Sequence, residues 1–244
     1  MYIDPLITLR LLAENPKNLD LDVVWRTDFA ETYMVDNFQK ENLSMQDKYL
    51  IITEGSSDLE VISKGILILE PDLKKFFNFI DMNNNYPFGG TSNLFKFYDG
   101  LKRINVLNKV IVVIDNDTEG NVLFNRLERL DPVSNLGFMK LPDLPELNNV
   151  VTIGTDGEHL KNINGKASAI ECYLDFNFNM NSDDIKIRWI AWNDKLQQYQ
   201  GRFDNKTKKM LFNNFLNYYH DSKYDLSKLQ VLVNQIIFSC IELN

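Results

Sequence analysis

Two hydrophobic rhythms follow one another along the chain. Tyr49-Leu-Ile-Ile-Thr53 is an unbroken apolar run, the pattern of a strand buried on both faces of a parallel sheet. It stops at Glu54-Gly55-Ser56-Ser57-Asp58, where Gly55 turns the chain and Ser56 or Ser57 can cap a helix. Leu59, Ile62, Ile66 and Leu69 then recur at helical spacing until Pro71. Phe76-Phe-Asn-Phe-Ile80 reads as a second strand, and after a loop with Pro87, Gly89 and Gly90, Thr91 or Ser92 opens a second helix. That helix turns Leu94, Phe97, Tyr98 and Leu101 inward. Lys109-Val-Ile-Val-Val-Ile114 is the strongest strand and runs directly into Asp115-Asn-Asp117-Thr-Glu119-Gly120. A third helix carries Leu123, Leu127 and Leu130. Strand–helix alternation over 49–130 predicts right-handed βαβ crossovers: an α/β, Rossmann-like core, its mainly parallel sheet covered by helices on both faces.

The flanks read differently. Residues 1–48 form an N-terminal extension with a short helical pattern (Leu6, Leu9, Leu11, Leu12) followed by polar sequence. The core spans 49–145. Residues 146–244 are expected to be a mostly helical extension packed on that core, because they show no strong strand–helix alternation of their own. Within it, 167–174 predicts a short helix bearing Glu171, and helices are expected over 206–219 and 226–241. Trp189 and Trp192 are read as packing residues of this C-terminal part.

Composition narrows the chemistry. With 44% apolar residues among 244, wholesale disorder is excluded. The 26 basic and 34 acidic residues give a net charge of −8, so phosphates are repelled unless metal ions or a local basic patch intervene. Two cysteines and two histidines cannot furnish a Cys/His zinc site or a disulfide framework. No apolar run approaches a membrane span and Met1-Tyr-Ile-Asp lacks a basic n-region, so a soluble cytoplasmic protein without membrane attachment is expected.

Ligands of open parallel sheets gather at the carboxyl ends of the strands. Glu54 holds that place on the first strand, and Asp115 and Asp117 hold it on the third, where i and i+2 point the same way. Three converging carboxylates repel one another unless a hard cation sits among them. The expectation is therefore Mg²⁺ (or Mn²⁺) and phosphoryl or phosphodiester chemistry, with Asp58 and Glu119 at the rim and Glu171 as a remoter ligand. The bland alternative is helix capping, which an acid in a first turn also serves. Two strand ends that are both acidic and both followed by glycine favour a site. An Asp-x-Asp after an apolar strand is also similar to haloacid-dehalogenase-type phosphatases, but Glu119 stands where those carry Thr or Val. No dinucleotide or P-loop glycine motif is present. Gly89, Gly90 and Thr91 form either a phosphate-binding helix start or a tight strand–helix turn. Tyr199-Gln-Gly201 with Phe203 and Lys206 is either an aromatic and basic strip for single strands or a turn with packing aromatics.

Glu54-Gly55, followed about sixty residues later by Asp115-x-Asp117-x-x-Gly120, resembles the Toprim domain of topoisomerases, primases and OLD-type nucleases. The wider wording is similar to the bacterial HEPN/Toprim-associated family. It matches at Ile52-Thr-Glu-Gly-Ser-Ser-Asp58, Asp81-Met82 with Tyr86-Pro-Phe-Gly89, and Ile114-Asp-Asn-Asp-Thr-Glu-Gly120. It matches again at Asn164-Gly-Lys-Ala-Ser-Ala-Ile-Glu-Cys-Tyr-Leu174, so the likeness covers roughly 49–210. The resemblance implies a Toprim nuclease in which Glu54 is an acid/base or metal ligand and Asp115 and Asp117 hold Mg²⁺. Lys166 and Glu171 correspond to the lysine and later glutamate of OLD-type two-metal sites; a solvated loop lysine is the other reading of Lys166. It also implies a DNA or RNA substrate, an anti-phage defence setting, a HEPN or other partner protein, and self-association. The first histidine is His159, so no HEPN ribonuclease site is expected before the core. The rival expectation is a non-catalytic Toprim module that binds or regulates with a partner. Primase or topoisomerase chemistry has little room in this chain.

Overall fold

Four short apolar strands build the parallel sheet on which everything else is mounted. In the computed structural model, which describes residues 16–18, 48–80 and 91–243, these are β1 (Tyr49–Ile52), β2 (Phe77–Ile80), β3 (Lys109–Ile114) and β5 (Leu136–Lys140). They are hydrogen-bonded in the order β2-β1-β3-β5, every pair parallel. Because β2 lies on one side of β1 and β3 on the other, the chain reverses its winding between β1 and β3, and a crevice opens there. The register pairs Ile52 with Val112, so the residues that follow β1 and β3 leave the sheet side by side.

Alternate strand residues face opposite layers. Ile51, Ile111, Val113 and Met139 join a core with Val61, Ile62 and Ile66 of helix α1 (Ser56–Leu69) and Leu229, Leu232 and Ile236 of helix α5 (Ser227–Ile241). Ile52, Val110, Val112, Ile114 and Leu136 face helices α2 (Thr91–Arg103) and α3 (Thr118–Leu127), which contribute Leu94, Tyr98, Leu123 and Leu127. Helices on both faces of a parallel sheet, expected from the 49–130 pattern, are present. Phe76 belongs to the 3-10 turn Pro71–Phe76 rather than to β2. The α5 helix lies close against α1, where a Cβ on Gly65 would meet Leu229 at 3.2 Å.

The C-terminal part departs from the mostly helical expectation. Helices α4 (Asn205–Tyr218) and α5 fall where they were expected, but a second four-stranded sheet precedes them. Its strands are β6 (Val150–Gly154), β7 (Gly157–Lys161), β9 (Ile187–Asn193) and β10 (Gln198–Arg202), in the order β10-β9-β6-β7. The sheet hides from pattern reading because every residue of β7 is exposed and β9 does not alternate between buried and exposed. The short helix expected over 167–174 is instead the two-residue strand β8 (Ala167–Ser168) and a 3-10 turn, Ile170–Tyr173. Strand β8 pairs antiparallel with β4 (Asn116–Asp117), which ties the C-terminal part to the carboxyl end of β3.

From Lys48 onward the described residues belong to one compact unit, and the short turn Pro16–Asn18 belongs to another, Met1–Asn42. The helical pattern at Leu6 to Leu12, the Gly89-Gly90 turn, and the matched stretches at Asp81-Met82 and Tyr86-Pro-Phe-Gly89 lie outside the described residues. Among the described residues no helix is long and apolar enough to cross a membrane.

One core cluster joins the parallel sheet to Tyr173, Ile187, Phe203 and Phe215 of the C-terminal part, so the two should melt together. Leu232→Ala, at a fully buried position, is expected to cost about 2–5 kcal/mol. Circular dichroism and tryptophan fluorescence should report one shared transition in wild type and variant alike; two separated transitions would contradict the single core.

Candidate active site

Side chains delivered by separate segments meet in the crevice beyond β1 and β3. Glu54 leaves the end of β1. Asp58 sits in the first turn of α1, where its carboxylate accepts the Gly55 N–H at 3.0 Å and the Ser57 hydroxyl at 3.3 Å. Asp115 follows β3 directly. Asp117 caps α3, accepting the Gly120 N–H at 2.7 Å on one oxygen and the Gln200 amide at 2.5 Å on the other. Glu171 arrives from the C-terminal part on the 3-10 turn after β8.

The turn from β3 into α3 admits no side chain at Gly120, because a Cβ there would lie 2.0 Å from the Asp115 carbonyl oxygen. The helix begins at Thr118, four residues after β3 ends at Ile114, with both aspartates between them. Gln200 closes the arrangement from β10: its amide nitrogen donates to Asp117 and its carbonyl oxygen accepts the Glu119 N–H at 3.1 Å. The Thr118 hydroxyl donates to the Tyr199 carbonyl at 2.8 Å beside it.

Electrostatics identify a crowded acidic cluster. Burial, then Asp117, Asp58 and Glu119, push the Glu54 carboxyl up to about 7, against the pull of Lys208. Burial and Glu171 push Asp58 up to about 6. Asp115 is raised well above the usual carboxylate range by burial and by the charges of Asp58, Asp117, Glu171 and Glu54. Asp117 is raised by burial despite its hydrogen bonds. Lys208, on α4, faces this cluster with its ammonium 2.9 Å from Glu171 Oε1. Burial alone would lower the Lys208 pKa, but attraction to Glu171, Asp115 and Asp58 raises it. Glu171 Oε2 is buried without a hydrogen-bond partner among the described residues. A cleft of about 400 Å³ opens beside it, with Ser57, Asn205, Lys208 and Lys209 on its walls.

The sequence-derived candidates are thus distributed unequally. Glu54, Asp58, Asp115, Asp117 and Glu171 share one electrostatic neighbourhood, with Asp58 inside the cluster rather than at its rim, while Glu119 is exposed. Thr91 begins α2; Gly89 and Gly90 lie outside the described residues. The backbone of Lys166 bridges to Asp117, but its side chain lines a different cleft, with Trp189 and Tyr199. The cation that pairs with Glu171 is Lys208, on α4. The sequence reading places neither it nor Gln200 at the site. Nothing in the sequence marks either residue, because each reaches the crevice through the unforeseen C-terminal packing. Among the described residues no three His, Cys, Asp or Glu side chains are gathered closely enough to hold a metal as they stand. The donor chemistry nonetheless suits a hard divalent cation: all-oxygen ligands, mutually repelling, one with a buried oxygen lacking a partner.

Glu54 and Asp58 hold their protons more tightly folded than unfolded, so the folded state binds more protons between about pH 4 and pH 7. Stability in a chelator should fall as pH rises through that window. Glu54→Gln should flatten the fall, by on the order of 3 kcal/mol across the window. Melting curves at stepped pH check this, and stability that rises with pH would contradict it. Gly120→Ala should destabilise the fold by on the order of 3 kcal/mol or more, read by denaturant titration, because the backbone oxygen of Asp115 cannot move aside cheaply.

Comparison with known proteins returns no matching family model, no matching curated protein and no matching solved structure.

Proposed function

We propose that this chain is a metal-dependent phosphodiesterase that cleaves nucleic acid, with its reacting centre in the crevice beyond β1 and β3. The observation that carries the reading is the convergence of Glu54, Asp58, Asp115, Asp117 and Glu171, from separate segments, around a paired lysine. A fold gains no stability by burying like charges together, so the cluster is best explained by a ligand that neutralises them. The chain order of these groups supports a Toprim-type site.

In this reading Asp115, Asp117 and Glu171, with Glu54 as a further ligand or as the acid/base, would hold Mg²⁺ or Mn²⁺, which when bound would polarise the phosphate and lower the pKa of water. If Glu54 is left free of the cation, its carboxyl, raised to about 7, is instead matched to proton transfer near neutral pH. Gln200 and the Gly120 N–H fix the orientation of Asp117. Lys208 supplies positive charge where the phosphate gains negative charge, the role expected of Lys166 from the sequence. The resemblance further supports a cytoplasmic defence setting with a HEPN-type partner. A second reading, a non-catalytic module that binds a partner, draws on Asp117, whose two oxygens are both engaged as in an ordinary helix cap.

Incubation with plasmid, single-stranded DNA and RNA, each with Mg²⁺ or Mn²⁺, should give cleavage that a chelator abolishes. Asp115→Asn should lower the rate by about 100-fold or more, and Lys208→Ala by about 10- to 100-fold. Lys166→Ala should cost less than Lys208→Ala. Metal at about 100 times its dissociation constant should stabilise the wild type by about 2.7 kcal/mol, and Asp115→Asn should lose most of that gain while remaining stable without metal. Intact protein that cuts none of the three substrates with either metal favours the non-catalytic module.

A further inference from the structure

We propose that the cleft between β6, β9 and β10 binds unpaired bases of single-stranded nucleic acid. This deepens the phosphodiesterase reading and rests on it only for what befalls the bound strand. The cleft encloses about 450 Å³, in the range of small-ligand pockets. Three aromatic rings line it: Trp189, Trp192 and Tyr199. Trp192 was expected to serve the C-terminal core, yet it is 46% exposed, and Tyr199 is 52% exposed. Large rings left half in water offer stacking faces.

The arrangement is built by a register shift. In a regular strand, residues three apart point to opposite faces, so Trp189 and Trp192 would be separated. Here Tyr199 pairs with Trp192 and Gln200 with Ala191, but Gly201 pairs with Trp189, which leaves Ile190 as an extra, bulged residue. The bulge turns both tryptophans to the side that holds Tyr199. The Trp192 and Tyr199 rings lie 4.8 Å apart at 68°, and Trp189 lies 6.2 Å from Tyr199.

Charge suits the same ligand. Lys161 and Lys166 line the cleft and form no ion pair among the described residues. The carboxylate in the lining, Asp156, is exposed and lies 3.2 Å from His159 Nε2. On a chain of net charge −8, aromatic faces flanked by unpaired lysines match bases joined by phosphates. The cleft is separate from the acidic cluster but shares its framework. Tyr199 lines the cleft while its neighbour Gln200 grips Asp117, and Lys166 bridges to Asp117 through its backbone.

The test uses the full chain in a chelator, with fluorescein-labelled oligo-dT and oligo-U of about twelve nucleotides as separate probes. Anisotropy should show binding of a single-stranded probe, with quenching of tryptophan emission. A blunt duplex should bind more weakly, since its bases offer no free faces. Trp192→Ala and Tyr199→Ala, both at exposed positions, should each weaken binding by roughly 5- to 100-fold. Lys161→Glu should weaken it and reduce the salt dependence by about one phosphate contact. Binding that both aromatic variants leave unchanged, or no binding of either probe by folded wild type, would overturn the proposal. Binding without cleavage would remove the phosphodiesterase reading and leave this one standing. Cleavage and binding that persist unchanged in both aromatic variants would do the reverse.

Discussion

Repulsion between like charges, held in place by the packing around it, is the constraint on which this structure turns. Glu54 and Asp115 end neighbouring strands whose register is locked by apolar residues buried on both faces. The two carboxylates cannot separate without disrupting that register. Asp58 and Asp117 sit at the starts of α1 and α3, where the partial positive charge of a helix N-terminus offsets some of the strain. Lys208 offsets more. What remains unneutralised adds to burial in raising the pKa values of Glu54, Asp58 and Asp115.

Helix capping and ligand binding are not exclusive uses of these acids. Asp58 accepts the backbone N–H of Gly55, the residue before α1, and Asp117 accepts that of Gly120 in the first turn of α3, both ordinary structural contacts. The same contacts hold the carboxylates in single orientations before anything binds. These contacts fix where the carboxylates start, and the groups must still draw together to share one cation. Gly120 is the geometric condition for this arrangement, since any side chain there would push the α3 start away from the Asp115 carbonyl.

The core was legible because its strands are continuous apolar runs and its helices carry apolar residues at helical spacing, two signals that survive without tertiary context. The acidic strand ends were legible for the same reason, since strand ends locate them. The second sheet was not. Strand β7 is exposed along its whole length, β9 carries a bulge that breaks its alternation, and β8 is only two residues long. These strands are set by pairing with β4, β6 and one another rather than by their own pattern. Lys208 and Gln200 were hidden with them. A lysine on a helix looks the same whether it faces solvent or a carboxylate, and the choice is made by how α4 docks. Trp192 was misread because an aromatic residue is ordinarily an interior one, whereas here a bulge turns it outward.

The contact between Asp117 and Gln200 joins residues 83 positions apart. On a ribosome, the strands that carry Glu54, Asp115 and Asp117 emerge well before Glu171, Gln200 and Lys208 do. A partly synthesised chain can thus assemble the parallel sheet and its acidic strand ends while lacking the residues that orient Asp117 and balance the charge. The order of synthesis makes completion of the crevice a late event, and a truncated product carries the carboxylates without the machinery that makes them a site.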